Sequence, residues 1–133
     1  MLSRVADSLF WTSRYIERVE SIARLIAVNS SLTLDLPSEA DHWGPLVDAM
    51  GGREQFDSCY TRPDAGNVIR YLALDLENPD SLISSINAAR TNAHSVREFI
   101  TLEMWEQVNH LYQDVRIAAD TGQPSPEFYG AVV

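Results

Sequence analysis

Arg14, Glu17, Arg18 and Glu20 fall within two turns of what reads as one long helix, and Arg90, His94 and Arg97 recur at four- and three-residue steps further along the chain. Guanidinium groups so spaced can take a carboxylate or a phosphate through paired hydrogen bonds. The neighbouring glutamates can instead hold those arginines as ion pairs. On a helical wheel, Glu20 lies beside Leu9, Ile16 and Ala27, at the rim of an apolar face. A carboxylate there costs several kcal/mol unless it is paired. Arg90 or Arg97 is therefore expected to pack against Glu17 or Glu20, with Arg14–Glu17 and Glu20–Arg24 pairing along their own helix. The simpler outcome is a set of ion pairs that fixes helix register. The alternative is an interhelical pocket that binds a carboxylate or phosphate.

Other chemistry is sparse. Cys59 is the single cysteine, which excludes an intrachain disulfide and a cysteine-based zinc site. With no His–Asn or His–Asp arrangement near it in sequence, Cys59 reads as a half-buried small hydrophobe and not as a nucleophile. A di-iron site needs two Glu-x-x-His pairs and two further glutamates. The chain offers one such pair, Glu39-Ala40-Asp41-His42, just after Pro37, so neither a metal nor another cofactor is expected. His94 and His110 read as surface or salt-bridged residues. Met104, Trp105 and Tyr112 read as core at helical spacing. The net charge of −9 comes from 19 acidic and 10 basic residues, and all the basic ones are arginine. Such a field repels phosphate backbones, so no nucleic-acid partner is expected. The N-terminal residues lack the apolar core of a signal peptide, and no run nears the roughly 18 apolar residues of a membrane span. A cytoplasmic protein without a membrane partner is the expectation, and the lone thiol suits that compartment.

The elements that must position these residues are helical. Val5, Leu9, Thr12, Ile16, Val19, Ala23 and Ile26 mark one face of a first helix, capped by Ser3 and stopped by Pro37. Its length would be roughly 45 Å. Between Ser38 and Thr61, Gly44-Pro45 and Gly51-Gly52 break the chain into brief helices. A third short helix is expected from Asn67 to Asp75. Asn78-Pro79-Asp80-Ser81 reads as a helix start with Asn78 as cap and Pro79 in the first turn. Leu82, Ile86, Ala89, Ala93, Val96 and Ile100 give the face of that second long helix. Thr101 either caps a further helix or marks a kink, and the periodicity then runs through Val108, Leu111 and Val115 to about Asp120, before Gly122 and Pro124. The fold class is all-α: an up-down helical bundle of three long helices with a short helical insertion between the first and second. At 133 residues, 45% of them hydrophobic, this is one domain, residues 1–133. The apolar end, Phe128 to Val133, either docks on the domain or belongs to a longer helical array.

Three stretches together resemble a bacterial family, the alpha-E domain proteins, a domain of unknown function. They are Met1 to Trp11 running into Arg14-Tyr15-Ile16-Glu17-Arg18-Val19-Glu20; Asn78 to Ser81 with Ala88-Ala89-Arg90; and Asn92, Val96-Arg97 and Glu103 to Asn109. Glu103, a charge at a face edge, with Glu106 and Asn109 of the same stretch, completes the expected ligand pocket or buried ion-pair network of Arg14, Glu17, Arg18, Glu20, Arg90 and Arg97. The resemblance implies an all-α fold and genes beside those of ATP-grasp-type ligases and transglutaminase-like proteases. From this follows an accessory or interaction partner of a peptide-modifying system, with no recognisable catalytic motif; the alternative is an enzyme or ligand-binding protein of that system. Thr91 departs from the family, which usually has Glu there. Members are also commonly about twice as long, so this chain resembles their N-terminal half. A protein partner or a second copy in a homo-oligomer is expected to cover the apolar surface left bare.

Overall fold

A computed structural model describes residues 2–35, 43–120 and 129. The Glu39–His42 pair lies outside the described residues, as does the apolar end apart from Tyr129. The described residues form helices and turns without a strand. Helix α1, Leu2–Asp35, is the longest, about 51 Å at 1.5 Å per residue. Three short helices follow: α2 (Gly44–Ala49), α3 (Arg53–Cys59) and α4 (Ala65–Ile69), the last running into a π-helical turn at Arg70–Leu74. Helix α5 is Leu82–Ser95, and a 3-10 turn at Arg97–Phe99 leads to α6, Leu102–Asp120.

The expected apolar period of α1 is buried in its second half. Val19, Ile22, Ala23 and Ile26 are enclosed, while Leu9, Thr12 and Ile16 are half-buried. Helix α5 packs on α1 and, on another side, on α6, whereas α1 and α6 make no comparable contact. Leu82, Ile86 and Ala89 of α5 join the core with Val47, Phe56, Val68 and Leu72 from the short helices and Val115 from α6. Ala23, Ala73 and Ala89, all fully buried, are the small residues of this cluster. Each fully enclosed Ile or Leu contributes about 1.5–3 kcal/mol. Tyr129 is also buried in this cluster, so the apolar end docks at that residue.

Two expected helix starts move. The third short helix begins at Ala65, not Asn67, because the Asp64 carboxylate caps it, accepting from the Asn67 N–H at 2.8 Å. The start at 78–81 also shifts. Ser81, not Asn78, is the cap of α5, its hydroxyl accepting from the Ser84 N–H at 3.2 Å. Asn78 is needed elsewhere. Its side chain donates to the Tyr71 carbonyl at 2.9 Å, one of the carbonyls orphaned where the π turn ends, and accepts from the Asp80 N–H at 3.1 Å. Thr101 caps α6 through the Met104 N–H at 3.1 Å. Met104 itself is exposed rather than in the core, and Trp105 and Tyr112 are half-buried. Cys59 is likewise exposed, not half-buried.

Candidate functional site

The expected contact of Arg90 or Arg97 with Glu17 or Glu20 does not form. Glu17 pairs with Arg14 at 3.4 Å along the exposed surface of α1. Glu20 is half-buried without a hydrogen bond or ion pair among the described residues, and Arg24 does not reach it. Half exposure lets water solvate the carboxylate, so the rim position does not force a partner. Arg97 contacts His94 on the surface. Arg90 turns toward α6, donating from Nε to Asn109 Oδ1 at 2.9 Å, with its guanidinium 4.7 Å from the Tyr112 ring centre and 5.8 Å from that of Trp105. These contacts tie α5 to α6 by a charge-assisted hydrogen bond to a neutral amide and by cation–π attraction instead of an ion pair. Glu103 and Glu106 are exposed; with Asn109 and His110 they line an open groove of about 420 Å³ along α6. The nine residues expected in one network are thus divided between separate places.

Arg18 is the one of the nine that forms an ion pair between elements among the described residues. Its Nη1 donates to Asp80 Oδ1 at 3.1 Å, joining the middle of α1 to the turn before α5. The two face a cleft of about 290 Å³. Met50, Gly51 and Gly52 of the α2–α3 turn, Gln55 of α3, Tyr71 and Leu72 of the π turn, and Asn78 complete its lining. Local sequence explains this shape. Gly51 takes a φ of +76°, a left-handed conformation that favours glycine. A Cβ on Gly52 would lie 2.5 Å from the Tyr71 hydroxyl oxygen, so any larger residue there would displace the tip of the tyrosine. The Tyr71 hydroxyl is 3.4 Å from the Gly52 carbonyl and 3.3 Å from Gln55 Oε1. Burial, then the negative charges of Asp80 and Asp75, push its pKa up, so it faces the cleft as a neutral phenol.

Gln55, Tyr71 and the glycine pair were not among the residues singled out for chemistry. Gly51-Gly52 carried a signal as a chain break, and Asp80 as a helix start. The convergence of all of them on Arg18 depends on tertiary packing.

Comparison with known proteins bears on the same arginine. A family model described as a predicted alpha-helical domain with a conserved ER motif, Alpha-E, matches residues 1–133. The chain belongs to this family. Glu17-Arg18 is the single Glu-Arg dipeptide in the sequence, so the ER motif supplies the arginine of the cleft, while its glutamate faces solvent beside Arg14. Uncharacterized proteins of Mycobacterium tuberculosis and Mycobacterium bovis are each 27% identical to this alpha-E chain over 139 residues. The match covers 93% of the chain and 16% of each relative, so the chain spans about one-sixth of their length. No solved structure matches it. No helix among the described residues is long and apolar enough to cross a membrane.

The aromatic cluster behind the cleft gives a pH-dependent expectation. Tyr60 stacks on Phe56 with ring centres 5.0 Å apart, and its hydroxyl donates to Asp75 Oδ2 at 3.0 Å. Burial first, and then the bond to that carboxylate, push its pKa up to about 12. The neutral phenol is therefore the form the fold prefers. Its contribution is intact below the ordinary tyrosine value of 10 and is lost as pH rises through about 12. Urea unfolding followed across that range should show stability falling, and Tyr60→Phe should flatten the fall while costing about 1 kcal/mol at neutral pH. An unchanged alkaline slope in the variant would assign the loss to other groups.

Proposed function

We propose that this alpha-E domain is a non-enzymatic accessory and interaction partner in a peptide-modification system containing an ATP-grasp-type ligase and a transglutaminase-like protein. The observation that carries the reading is the apolar surface left on two places of the fold. Leu25, Val28 and Leu32 recur on one exposed face of α1. Phe99 and Leu102, 62% and 70% exposed, stand at the connection into α6. Exposed apolar patches of this kind mark interaction surfaces, and in the mycobacterial relatives the matching stretch is joined to a much longer chain. In this reading residues 1–133 act as one unit whose long helices run up-down, as the short stretch between α5 and α6 suits antiparallel neighbours. The requirement of such a ligase for ATP puts the system in the cytoplasm.

The test is capture of the neighbouring ligase and transglutaminase-like protein by this chain, with ATP consumption measured with and without it. Val28→Glu with Leu32→Glu should weaken capture by at least about tenfold, while surface substitutions of this kind leave stability within about 0.5 kcal/mol. Capture that ignores the double variant, or ATP turnover that ignores the protein, counts against the reading. Sedimentation of the chain alone distinguishes a homo-oligomer, in which a second copy occupies the same stripe.

A second reading, a ligand-binding role, has its own support. The arginine of the family's ER motif lines a cleft with free hydrogen-bonding capacity. This version replaces the expected Glu17/Glu20–Arg90/Arg97 pocket with one at Arg18.

A further inference from the structure

We propose that the cleft at Arg18 and Asp80 binds a small zwitterion of the α-amino-acid class, its carboxylate on Arg18 and its ammonium on Asp80. The proposal rests on the ligand-binding reading and adds the chemical class of the ligand.

The charge of the lining carries the argument. Arg18 and Asp80 are the charged residues among those that line the cleft, and together they sum to zero. An isolated anion placed there meets Asp80 and the net charge of −9; an isolated cation meets Arg18. A ligand carrying both charges a short distance apart satisfies both residues at once. The pair also has capacity to spare. One contact, Nη1 to Oδ1, joins them. The other N–H groups of Arg18 and the Oδ2 of Asp80 make no hydrogen bond to a described residue; the guanidinium otherwise lies 5.8 Å from the Tyr15 ring centre. A guanidinium presents five donors in a planar fork, and a carboxylate accepts at both oxygens, so a ligand can add to the pair without breaking it.

Size and surroundings agree. At about 290 Å³ the cleft sits at the small end of ligand sites. Met50 brings apolar surface, and the neutral hydroxyl of Tyr71 and the amide of Gln55 add hydrogen-bonding edges. An amino acid with a modest apolar side chain fits this mixture. The alternative role for Arg18–Asp80 is a plain surface ion pair, whose contribution to stability is small. That small contribution also means that either residue can be replaced without unfolding the chain.

L-leucine is the probe, tested against its two single-charge relatives: isocaproate, which lacks the ammonium, and isoamylammonium, which lacks the carboxylate. Binding is read by calorimetry and by NMR shifts of the Gly51 and Gly52 amides, at ligand concentrations up to about 20 mM, to cover the millimolar range suited to so small a ligand. Leucine should bind about ten- to hundredfold more tightly than either relative, the value of one charge-assisted hydrogen bond. Arg18→Met should abolish that advantage over isoamylammonium, and Asp80→Asn the advantage over isocaproate. A merely structural pair would produce neither change of preference. Equal binding of leucine and isocaproate would overturn the zwitterion class but leave a carboxylate site standing. No shift at Gly51 or Gly52 with any of the three would overturn the proposal and the ligand-binding reading together.

Discussion

Phe56→Ala is expected to destabilise the fold by about 3–5 kcal/mol. The ring is fully buried, stacked on Tyr60 and edge-on to Tyr71 with ring centres 5.4 Å apart and planes at 84°. It therefore joins α3 to the π turn, two elements that share little other regular structure. Removing it loses the transfer energy of an aromatic side chain and leaves a cavity among groups that other contacts hold in place. Tyr60 is bonded to Asp75, and the Tyr71 hydroxyl lies against Gly52 and Gln55, so collapse around the gap is limited. Against a total stability of about 5–15 kcal/mol for an ordinary domain, this loss is large. Urea unfolding should show a lower midpoint at an unchanged slope, and Phe56→Leu should recover more than half of the difference. A cost below about 1 kcal/mol would mean that the insertion is not part of the cooperative core.

The contrast between that residue and Arg18 shows what sequence could and could not supply. Helix faces were legible because burial follows a 3.6-residue period. Val19, Ala23 and Ile26 of α1, and Leu82, Ile86, Ala89 and Ala93 of α5, lie buried as their spacing requires. The helical run of α6 as far as Asp120 was legible from its period. Partners were not legible. Wheel positions place Glu20 and Arg90 at the edges of apolar faces, but which edges meet depends on helix rotation and on what occupies the space between. Here α5 packs directly on α1, and Arg90 lies on the side that meets α6. The π turn and the Asn78–Ser81 turn bring Asp80 to Arg18, while Arg90 is drawn to the aromatic side of α6. Local polar patterns carried a related ambiguity. Asn, Asp and Ser at 78, 80 and 81 are all cap-forming residues, and only the orphaned Tyr71 carbonyl decides which of them is free to cap α5.

That carbonyl underlies the second large effect. Asn78 is 3% exposed and makes two hydrogen bonds, one to Tyr71 and one from the Asp80 N–H. Asn78→Ala should cost about 2–3 kcal/mol, because the Tyr71 carbonyl is left buried without a donor and the turn loses its side-chain closure. Asn78→Asp is the more telling variant. It keeps an acceptor for the Asp80 N–H but sets a carboxylate against a carbonyl oxygen in a buried site. At neutral pH it should be less stable than the alanine variant. Burial and that repulsion raise the folded pKa of the new carboxyl above its unfolded value, so protonation favours the fold and the relative loss should shrink as pH falls. Once protonated, the acid can donate to the Tyr71 oxygen as the native amide does. Both variants also loosen Asp80, so binding at the cleft should weaken alongside stability, whereas Arg18→Met should weaken binding with almost no loss of stability. Thermal unfolding and leucine titration on the same three variants would separate a residue that builds the cleft from one that faces its ligand. A fully stable Asn78→Ala protein would show that the turn before α5 holds its shape without this amide, and that the position of Asp80 is set by its pairing with Arg18.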